Sequence, residues 1–366
     1  MISIQPVGSN ETRLWGLTAY ERLRRIASAQ GMSVDGEDAV ILANLDHVWD
    51  PAWLRMVRDR ADCIVTQVGV PVLAHVTDPA MRQRVAEAMR KRTPLGDTTG
   101  LHVTAQEESG DMVNDQLRKR ERPFMDRLVP ETVLPLERAS YFGAYKGVTD
   151  ILTKYLWPEW ALVLTRWAAR FGITPNMVTA LGAALCVAAT ILFYEGWYWT
   201  GLAAGLVFMV LDTVDGKLAR CTITSSWWGN VFDHGIDLVH PPFWWYAWGV
   251  GLVAYGRPLD ERTFWAVMAA IIGGYVVQRL IEGVFMRRYG MHIHVWEKFD
   301  SQFRLITARR NPNMVILFAS LLVMRPDWGI LAVAGWTVLS CIVHFVRLVQ
   351  AMGVSARGRP IASWLT

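Results

Sequence analysis

Cysteine is scarce in this 366-residue sequence, and its four copies, Cys63, Cys186, Cys221 and Cys341, form no CxxC pair. Their scatter argues against a zinc site or a disulfide framework. The net charge of +4 is small for this length and does not favour a nucleic-acid-binding surface. The first residues also lack a basic segment followed by an apolar one. We therefore expect no signal peptide and a cytosolic N-terminal half.

Apolar residues are abundant, and they are unevenly distributed. The hydrophobic content is 52%, there are 18 tryptophans, and the mean hydropathy is +0.20. Long apolar windows all lie beyond Met177, and a membrane-spanning helix needs about 20 such residues. The sequence thus predicts a polytopic α-helical membrane protein with an N-terminal soluble α/β domain. Its six transmembrane helices are expected at residues 177–196, 198–219, 231–255, 263–286, 312–325 and 328–351.

Basic residues cluster before the first predicted span, between the fourth and fifth, and after the sixth. By the positive-inside rule this distribution puts both termini in the cytosol, and we expect location in the cell (inner) membrane. The predicted organisation has four parts. They are a cytosolic α/β domain (1–139), an amphipathic juxtamembrane linker (140–176), a six-helix membrane domain (177–352) and a cytosolic tail (353–366).

The stretch "DTVDGKLARCTITSSWWGNVFDHGID", residues 212–237, holds four carboxylates among these apolar runs. Asp212 and Asp215 are three residues apart on one predicted helix, and Asp233 and Asp237 are four apart on the next. Each pair therefore lines one helical face. Carboxylates inside spans are costly, and divalent cations such as magnesium can compensate them while sharing the carboxylates with substrate phosphates. The alternative is a solvated network with Lys217, Arg220 and His234, which does not require this spacing.

The stretch matches, at every fixed position, the signature of the CDP-alcohol phosphotransferase family, also called CDP-alcohol phosphatidyltransferases. The resemblance covers about residues 140 to 350. The matching positions are Asp212-x2-Asp215-Gly216-x2-Ala219-Arg220-x8-Gly229-x3-Asp233-x3-Asp237.

The resemblance implies an integral membrane transferase of phospholipid biosynthesis. It would move a phosphoryl-alcohol unit (phosphatidyl or phospho-polyol) from a CDP-linked donor to an acceptor alcohol, with release of CMP. The implied cofactors are two divalent cations, Mg²⁺ or Mn²⁺, and the implied assembly is a homodimer in membrane lipids. Asp237 would be the catalytic base. The implied metal ligands are Asp212, Asp215, Asp233 and Asp237, and the implied CDP-binding residues are Gly216, Ala219, Arg220 and Gly229.

An acceptor that carries phosphate would need cationic side chains near the cytosolic entry of the fifth predicted span. Arg304, Arg309 and Arg310 lie there, and arginine suits phosphate through its planar array of donors. The alternative is that these arginines only reflect topology and attraction to anionic lipid headgroups.

In the soluble half, short apolar runs alternate with helical stretches, which predicts a layered α/β domain. "NLDHVWDPAWL" resembles the segment of sugar-phosphate cytidylyltransferases that carries a metal-binding aspartate, here Asp46. The glycine-rich loop expected after the first strand is missing, since "VGSNETRLWGL" contains only Gly8 and Gly16. We therefore interpret the domain as a degenerate nucleotidyltransferase-like domain. Two alternative functions follow, a membrane-anchored cytidylyltransferase and a non-catalytic relic of the membrane family.

Overall fold

The computed structural model describes residues 2–36 and 39–366, apart from the side chains of Asn230, Asp233 and His234. Its N-terminal region contains a six-stranded sheet in the order β2-β1-β3-β6-β5-β7. β1 runs parallel to β2 and β3, β5 runs parallel to β7, and β6 is antiparallel to both of its neighbours. The strands are β1 (Ser3–Val7), β2 (Ser33–Val34), β3 (Ile41–Asn44), β4 (His47–Trp49), β5 (Cys63–Gln67), β6 (Val70–His75) and β7 (His102–Ala105).

Three helices accompany this sheet, each with a side-chain cap at its start. Thr18, Asp50 and Asp78 each accept a backbone N–H of the first helical turn. The helices are α1 (Ala19–Ala29), α2 (Pro51–Arg58) and α3 (Pro79–Lys91). The α/β region predicted from the alternation of apolar and helical stretches is confirmed.

Two small antiparallel pairs follow the main sheet. One is a hairpin of β8 (Met112–Asn114) and β9 (Lys119–Glu121), and in the other β10 (Met125–Arg127) pairs with β4. α4 (Val133–Gly143), a π-helical turn (Leu152–Leu156) and α5 (Pro158–Arg170) then lead to the first long apolar helix.

α5 has the amphipathic character expected of the juxtamembrane linker. Trp160 and Trp167 are 74% and 62% exposed, and Val163 between them is 49% exposed, whereas Ala161, Leu162 and Thr165 are buried. The exposed apolar side chains recur at helical spacing on one face. An apolar face of this kind is typical of a helix that lies in the interface plane of a membrane.

The C-terminal half is helical, and each predicted span coincides with a helix to within a few residues. The fourth span contains a π-helical turn, Ala269–Gly273, between two α-helices. The helices are α6 (Pro175–Tyr194), α7 (Tyr198–Cys221), α8 (Trp227–Gly251), α9 (Glu261–Met268), α10 (Gly274–Tyr289), α11 (Lys298–Arg304), α12 (Arg310–Leu322) and α13 (Pro326–Ala356).

Among the described residues, three helices are long and apolar enough to cross a membrane: Pro175–Tyr194, Glu261–Tyr289 and Pro326–Ala356. α7 and α8 carry the charged motif within their length, and α12 has only 13 residues. The presence of membrane-spanning helices is thus supported, and the number of six stays a prediction.

The N-terminal region is packed directly onto the end of α7. Val214, Leu218 and Cys221 of α7 share one apolar core with residues of the sheet and of α1. Arg22 and Arg25 of α1 donate to the carbonyl oxygens of Cys221, at 3.2 Å, and Thr222, at 2.7 Å. The last carbonyls of a helix lack intrahelical partners and carry partial negative charge, so these two guanidiniums satisfy and stabilise the C-terminal end of α7.

Replacing Arg25 with methionine tests this contact. Arg25→Met keeps the apolar part of the side chain and removes the bond to Thr222, which is expected to lower the free energy of unfolding by about 1–2 kcal/mol. Thermal unfolding of the purified full chain measures the change. Arg24→Met is the matched control, since Arg24 is exposed on the same helix. Equal unfolding temperatures in both variants would show that the cap contributes nothing.

Candidate active site

Two of the motif aspartates lie on α7, where their spacing directs them to the same side. Asp215 is buried, with 3% exposure, and its Oδ2 accepts a hydrogen bond of 2.6 Å from Thr179 of α6. A cavity of about 10 Å³ lies among Thr179, Asp212 and Asp215. α6 therefore lines this part of the site through Thr179.

Arg310, the first residue of α12, joins the two helices that carry the motif. Its Nη2 donates to Oδ2 of Asp212 at 2.7 Å, and its Nη1 donates to Oδ1 of Asp237 on α8 at 2.6 Å. The guanidinium also lies over the ring of Phe208, 4.9 Å from its centroid. One buried cation thus links carboxylates from α7 and α8.

The motif aspartates differ in exposure. The Asp237 side chain is 45% exposed and that of Asp212 only 18%. Asp233 lies one turn before Asp237 on α8, so the two positions share a helical face. The predictions for the side chains of Asp233 and His234 lie outside the described part of the structure.

Carboxylates from two helices converge here, and their donor chemistry suits a hard divalent cation. Asp212 and Asp237 are close enough to share one guanidinium, and a small cavity adjoins Asp212 and Asp215. Oxygen ligands of this kind are the ones that Mg²⁺ and Mn²⁺ prefer. Among the described side chains no group of three or more His, Cys, Asp or Glu residues is arranged around a common point. The side chain of Asp233 is not among those that can be tested.

The residues predicted to bind CDP lie near the C-terminal end of α7 and the N-terminal end of α8. A Cβ atom at Gly216 would stand 3.1 Å from Nη2 of Arg220, so the glycine leaves room for this guanidinium. Nε of Arg220 donates to the carbonyl of Ala144 at 3.1 Å. Ala219 is half-buried on the same helix.

Gly229 lies in the first turn of α8, and its N–H donates to Oγ of Ser226, the residue before the helix, at 3.0 Å. A Cβ at Gly229 would lie 3.3 Å from Oδ1 of Asn176, at the start of α6. The starts of α6 and α8 thus approach closely where a side chain on residue 229 would intrude. The assignment of these residues to CDP stays a prediction.

A polar cavity of about 490 Å³ adjoins Asp237. Six basic and three acidic side chains line it, so its wall carries excess positive charge. The basic residues are Arg118, Lys146, Arg279, Arg304, Arg309 and Arg310, and the acidic ones are Asp150, Asp237 and Glu282.

The three arginines predicted to bind an acceptor phosphate all line this cavity, but their contacts differ. Arg310 pairs with Asp212 and Asp237, as described. Arg309 pairs with Glu282 and lies 3.2 Å from Nε2 of His294. Nε and Nη1 of Arg304 are buried and have no hydrogen-bond partner among the described residues. Burial, with a smaller contribution from Arg309, lowers the pKa of Arg304 to about 9, so this side chain remains charged at neutral pH.

Several residues of the site were not predicted. Asp150, just before the π-helical turn, is buried and accepts a hydrogen bond of 3.0 Å from Asn311. Burial opposes its ionisation, but the guanidinium of Arg304 and hydrogen bonds from Thr153 and Asn311 bring the pKa of Asp150 below its usual value. Asp150 lies 161 residues from Asn311 in the chain, so no local pattern indicates this pair. The only sequence signal is that Asp150 is one of two acidic residues, with Glu159, in a mostly apolar and basic linker.

Comparison with known proteins identifies relatives of this site. Residues 172–346 match the family model described as CDP-alcohol phosphatidyltransferase. The matched segment includes the whole aspartate motif and Arg310, so the match agrees with the family predicted from the motif.

Curated relatives agree with the family match. Cholinephosphotransferase 1 of Xenopus laevis is 26% identical over 269 residues, which cover 65% of this chain and 61% of the relative. Choline/ethanolaminephosphotransferase 1 of Arabidopsis thaliana is 33% identical over 149 residues, 37% of this chain and 36% of the relative. Phosphatidylinositol phosphate synthase of Streptomyces avermitilis is 37% identical over 93 residues, 24% of this chain and 38% of the relative. The chain spans less than two thirds of the length of each.

Arg310→Gln tests whether these carboxylates can accept a divalent cation. Without the guanidinium, Asp212 and Asp237 repel each other. An added divalent cation can then bind both carboxylates without having to displace Arg310. Mg²⁺ is therefore expected to raise the unfolding temperature more in Arg310→Gln than in the wild type. Each tenfold gain in affinity corresponds to about 1.4 kcal/mol of added stability at saturating metal.

Arg309→Gln provides the control, because the Arg309 guanidinium lies on Glu282 rather than on the motif aspartates. It is expected to respond to Mg²⁺ as the wild type does. Equal Mg²⁺-induced shifts in all three proteins would argue against a cation site at Asp212 and Asp237.

Proposed function

We propose that the chain, whose residues 172–346 match the CDP-alcohol phosphatidyltransferase family model, is a member of that family and an integral membrane enzyme of phospholipid biosynthesis. It transfers the phosphoryl-alcohol unit of a CDP-linked donor to the hydroxyl of an acceptor alcohol and releases CMP. The observation that carries this proposal is the meeting of Asp212 and Asp237 at Arg310, beside a polar cavity large enough for a small polar acceptor.

The donor would bind at the cytosolic ends of α7 and α8. Asp212, Asp215, Asp233 and Asp237 would hold two Mg²⁺ or Mn²⁺ ions. When bound, these ions supply positive charge that neutralises the diphosphate and stabilises the leaving CMP. Gly216, Ala219, Arg220 and Gly229 would surround the cytidine. A side chain at residue 216 would crowd the Arg220 guanidinium, so the glycine leaves space beside a residue that is proposed to contact the cytidine.

Asp237 is the proposed general base. It lines the cavity, and it is the more exposed of the two carboxylates that Arg310 contacts. A hydroxyl group in the cavity can approach its oxygens and lose its proton as the oxygen attacks the donor phosphorus. Arg310 fixes the orientation of the carboxylate through Oδ1, which positions the base before the acceptor arrives.

We propose that the acceptor carries a phosphate group. Six basic residues against three acidic ones line the cavity, and Arg304 holds two buried donors without a partner there. Buried donors of this kind are costly until a ligand satisfies them. Among the relatives, the name phosphatidylinositol phosphate synthase denotes a phosphate-bearing product headgroup, and the cholinephosphotransferases are named for moving phosphocholine. The excess positive charge of the cavity wall favours an acceptor that carries phosphate over an uncharged alcohol.

The proposed topology has six spans: α6, α7, α8, the continuous segment of α9 and α10, α12 and α13. Basic residues in the 287–310 loop and in the tail support cytosolic termini, with the protein in the inner membrane. The four proposed parts are 1–139, 140–176, 177–352 and 353–366. We propose a homodimer from the family relationship.

The alternative of an active cytidylyltransferase in the N-terminal region is disfavoured. The loop after β1 buries Leu14 and Trp15, and the Trp15 indole donates to Oγ of Ser140 at 2.7 Å. This loop is occupied by packing where a nucleotidyltransferase would present backbone N–H groups to a triphosphate. Asp46 accepts from Nε of Arg92 at 2.6 Å, which supports a structural role. The relic alternative is disfavoured because all four motif aspartates are present.

The function is tested by CMP release from the purified chain in lipid nanodiscs with Mg²⁺. Donors would be CDP-diacylglycerol, CDP-inositol and CDP-choline, each with neutral alcohols and with polyol phosphates. We expect Mg²⁺-dependent CMP from one donor and phosphorylated acceptor pair. Asp237→Asn should retain CDP binding and lose turnover by at least about 100-fold, within the range that general bases contribute. Wild-type silence across the panel with CDP still bound would favour the relic alternative.

The acceptor assignment is tested by Arg304→Gln. Removal of its unpartnered donors is expected to raise the acceptor KM by about 10-fold and to leave the donor KM unchanged, since the effect lies in acceptor binding. Steady-state kinetics with each substrate varied in turn measures both constants. A change confined to the donor KM would contradict the assignment.

A further inference from the structure

The hairpin of β8 and β9 places a strained arginine at its tip. The loop of residues 115–118 closes with the N–H of Arg118 donating to the carbonyl of Asp115 at 3.2 Å, and the N–H of Leu117 donates to Oδ1 of Asn114 at 3.0 Å. Arg118 has φ of 51°, in the left-handed region that hairpins usually fill with glycine. This backbone conformation costs free energy in an arginine, whose Cβ atom crowds the backbone there.

This tip is fixed from both sides. The ammonium of Lys119 pairs with Glu121 and donates to carbonyl oxygens at the end of α4, including that of Phe142 at 3.3 Å. The N–H of Gly147 donates to the carbonyl of Leu117 at 2.8 Å. A Cβ at Gly147 would lie 2.6 Å from the carbonyl oxygen of Arg118, so only glycine permits this approach. The position of Arg118 is thus set by the structure around it.

The side chain of Arg118 lines the same cavity as Asp237, Arg304 and Arg309. Its Nε is buried and has no hydrogen-bond partner among the described residues. Burial lowers the pKa of Arg118 to about 10, which leaves it charged at neutral pH. A guanidinium with a buried donor in the wall of a polar cavity can donate hydrogen bonds to an anionic ligand there.

The anions of the cavity do not satisfy this charge. Glu282 is paired with Arg309, Arg279 and His294. Asp150 is bonded to Asn311 and Thr153, and Asp237 to Arg310. The neighbouring His292 stays neutral at pH 7, since burial and, to a smaller extent, Arg118 lower its pKa to about 4. Excess positive charge therefore persists where Arg118 and Arg304 face the cavity.

We infer that the N-terminal region completes the acceptor site, with Arg118 donating to the phosphate of a phosphomonoester acceptor. The inference rests on the proposed function and adds to it a residue from outside the matched family segment, 172–346. It also assigns a role to a domain without a nucleotide-binding loop: the domain holds a cation against the membrane-embedded site. Arginine suits this task because its planar donors match phosphate oxygens.

The test compares Arg118→Gln with Arg120→Gln in the full chain in nanodiscs. Arg120 lies two residues further on the same hairpin, is exposed and does not line the cavity, so it is the matched control for charge. Arg118→Gln should raise the KM of the phosphorylated acceptor about 10- to 100-fold and leave the donor KM unchanged. Arg118→Lys should recover part of the loss, and Arg120→Gln should behave as the wild type. An unchanged acceptor KM in Arg118→Gln, or an equal rise for donor and acceptor, would overturn the inference.

A binding measurement separates this inference from the proposed function. Inorganic phosphate, titrated calorimetrically into the full chain, should bind to the wild type and to Arg120→Gln but about tenfold more weakly to Arg118→Gln. Arg118→Gly, which relaxes the backbone at φ of 51°, should lose phosphate binding while it folds at least as well as the wild type. Wild-type inactivity with every donor would refute the proposed function alone. Equal phosphate binding in all variants would refute the role of Arg118.

Discussion

The constraint on which this structure depends is the charge of the motif aspartates, which lie on two largely apolar helices, α7 and α8. Carboxylates in such a place require a compensating positive charge. Arg310 supplies it by contacting Asp212 and Asp237 at once, and in doing so it ties α7, α8 and α12 together. The same two carboxylates are the proposed ligands of divalent cations. Binding of a substrate diphosphate with its metals would therefore require the guanidinium and the carboxylates to exchange partners.

The positions of these groups depend on the N-terminal region as well as on the membrane helices. Arg22 and Arg25 cap the end of α7, whose apolar residues continue the core of the α/β region. Ala144, at the end of α4, accepts hydrogen bonds from Lys217 and Arg220 of the motif helix. The N-terminal region thus supports the motif helix along its C-terminal turns.

The sequence predicted those features that depend on local spacing. The aspartate motif, the apolar helices and the α/β region are each signalled by residues that lie close together in the chain, and helices occur within about five residues of the predicted spans. The number of six spans stays a prediction. The arginines at 304, 309 and 310 were placed together because they lie on one short segment. Spacing alone also indicated that Asp212 and Asp215 share a face.

Local spacing does not predict contacts between segments that lie far apart in the chain. The Arg310 pairs join residues 98 and 73 positions apart, and the Asp150 pair with Asn311 spans 161. Charge patterning suggested a topological or phosphate role for Arg310, whereas packing places its guanidinium on the motif. No local spacing singles out Arg118, and the hairpin geometry places it at the cavity. Tertiary packing, which a one-dimensional pattern does not contain, decides each of these cases.

The most direct test of the central claim is a count of Mn²⁺ ions bound to the purified chain in the presence of CDP, measured by electron paramagnetic resonance. The account predicts about two ions per chain when CDP is bound, with binding lost in Asp212→Asn. CDP binding without Mn²⁺, or unchanged Mn²⁺ binding in Asp212→Asn, would contradict the assignment of the motif aspartates.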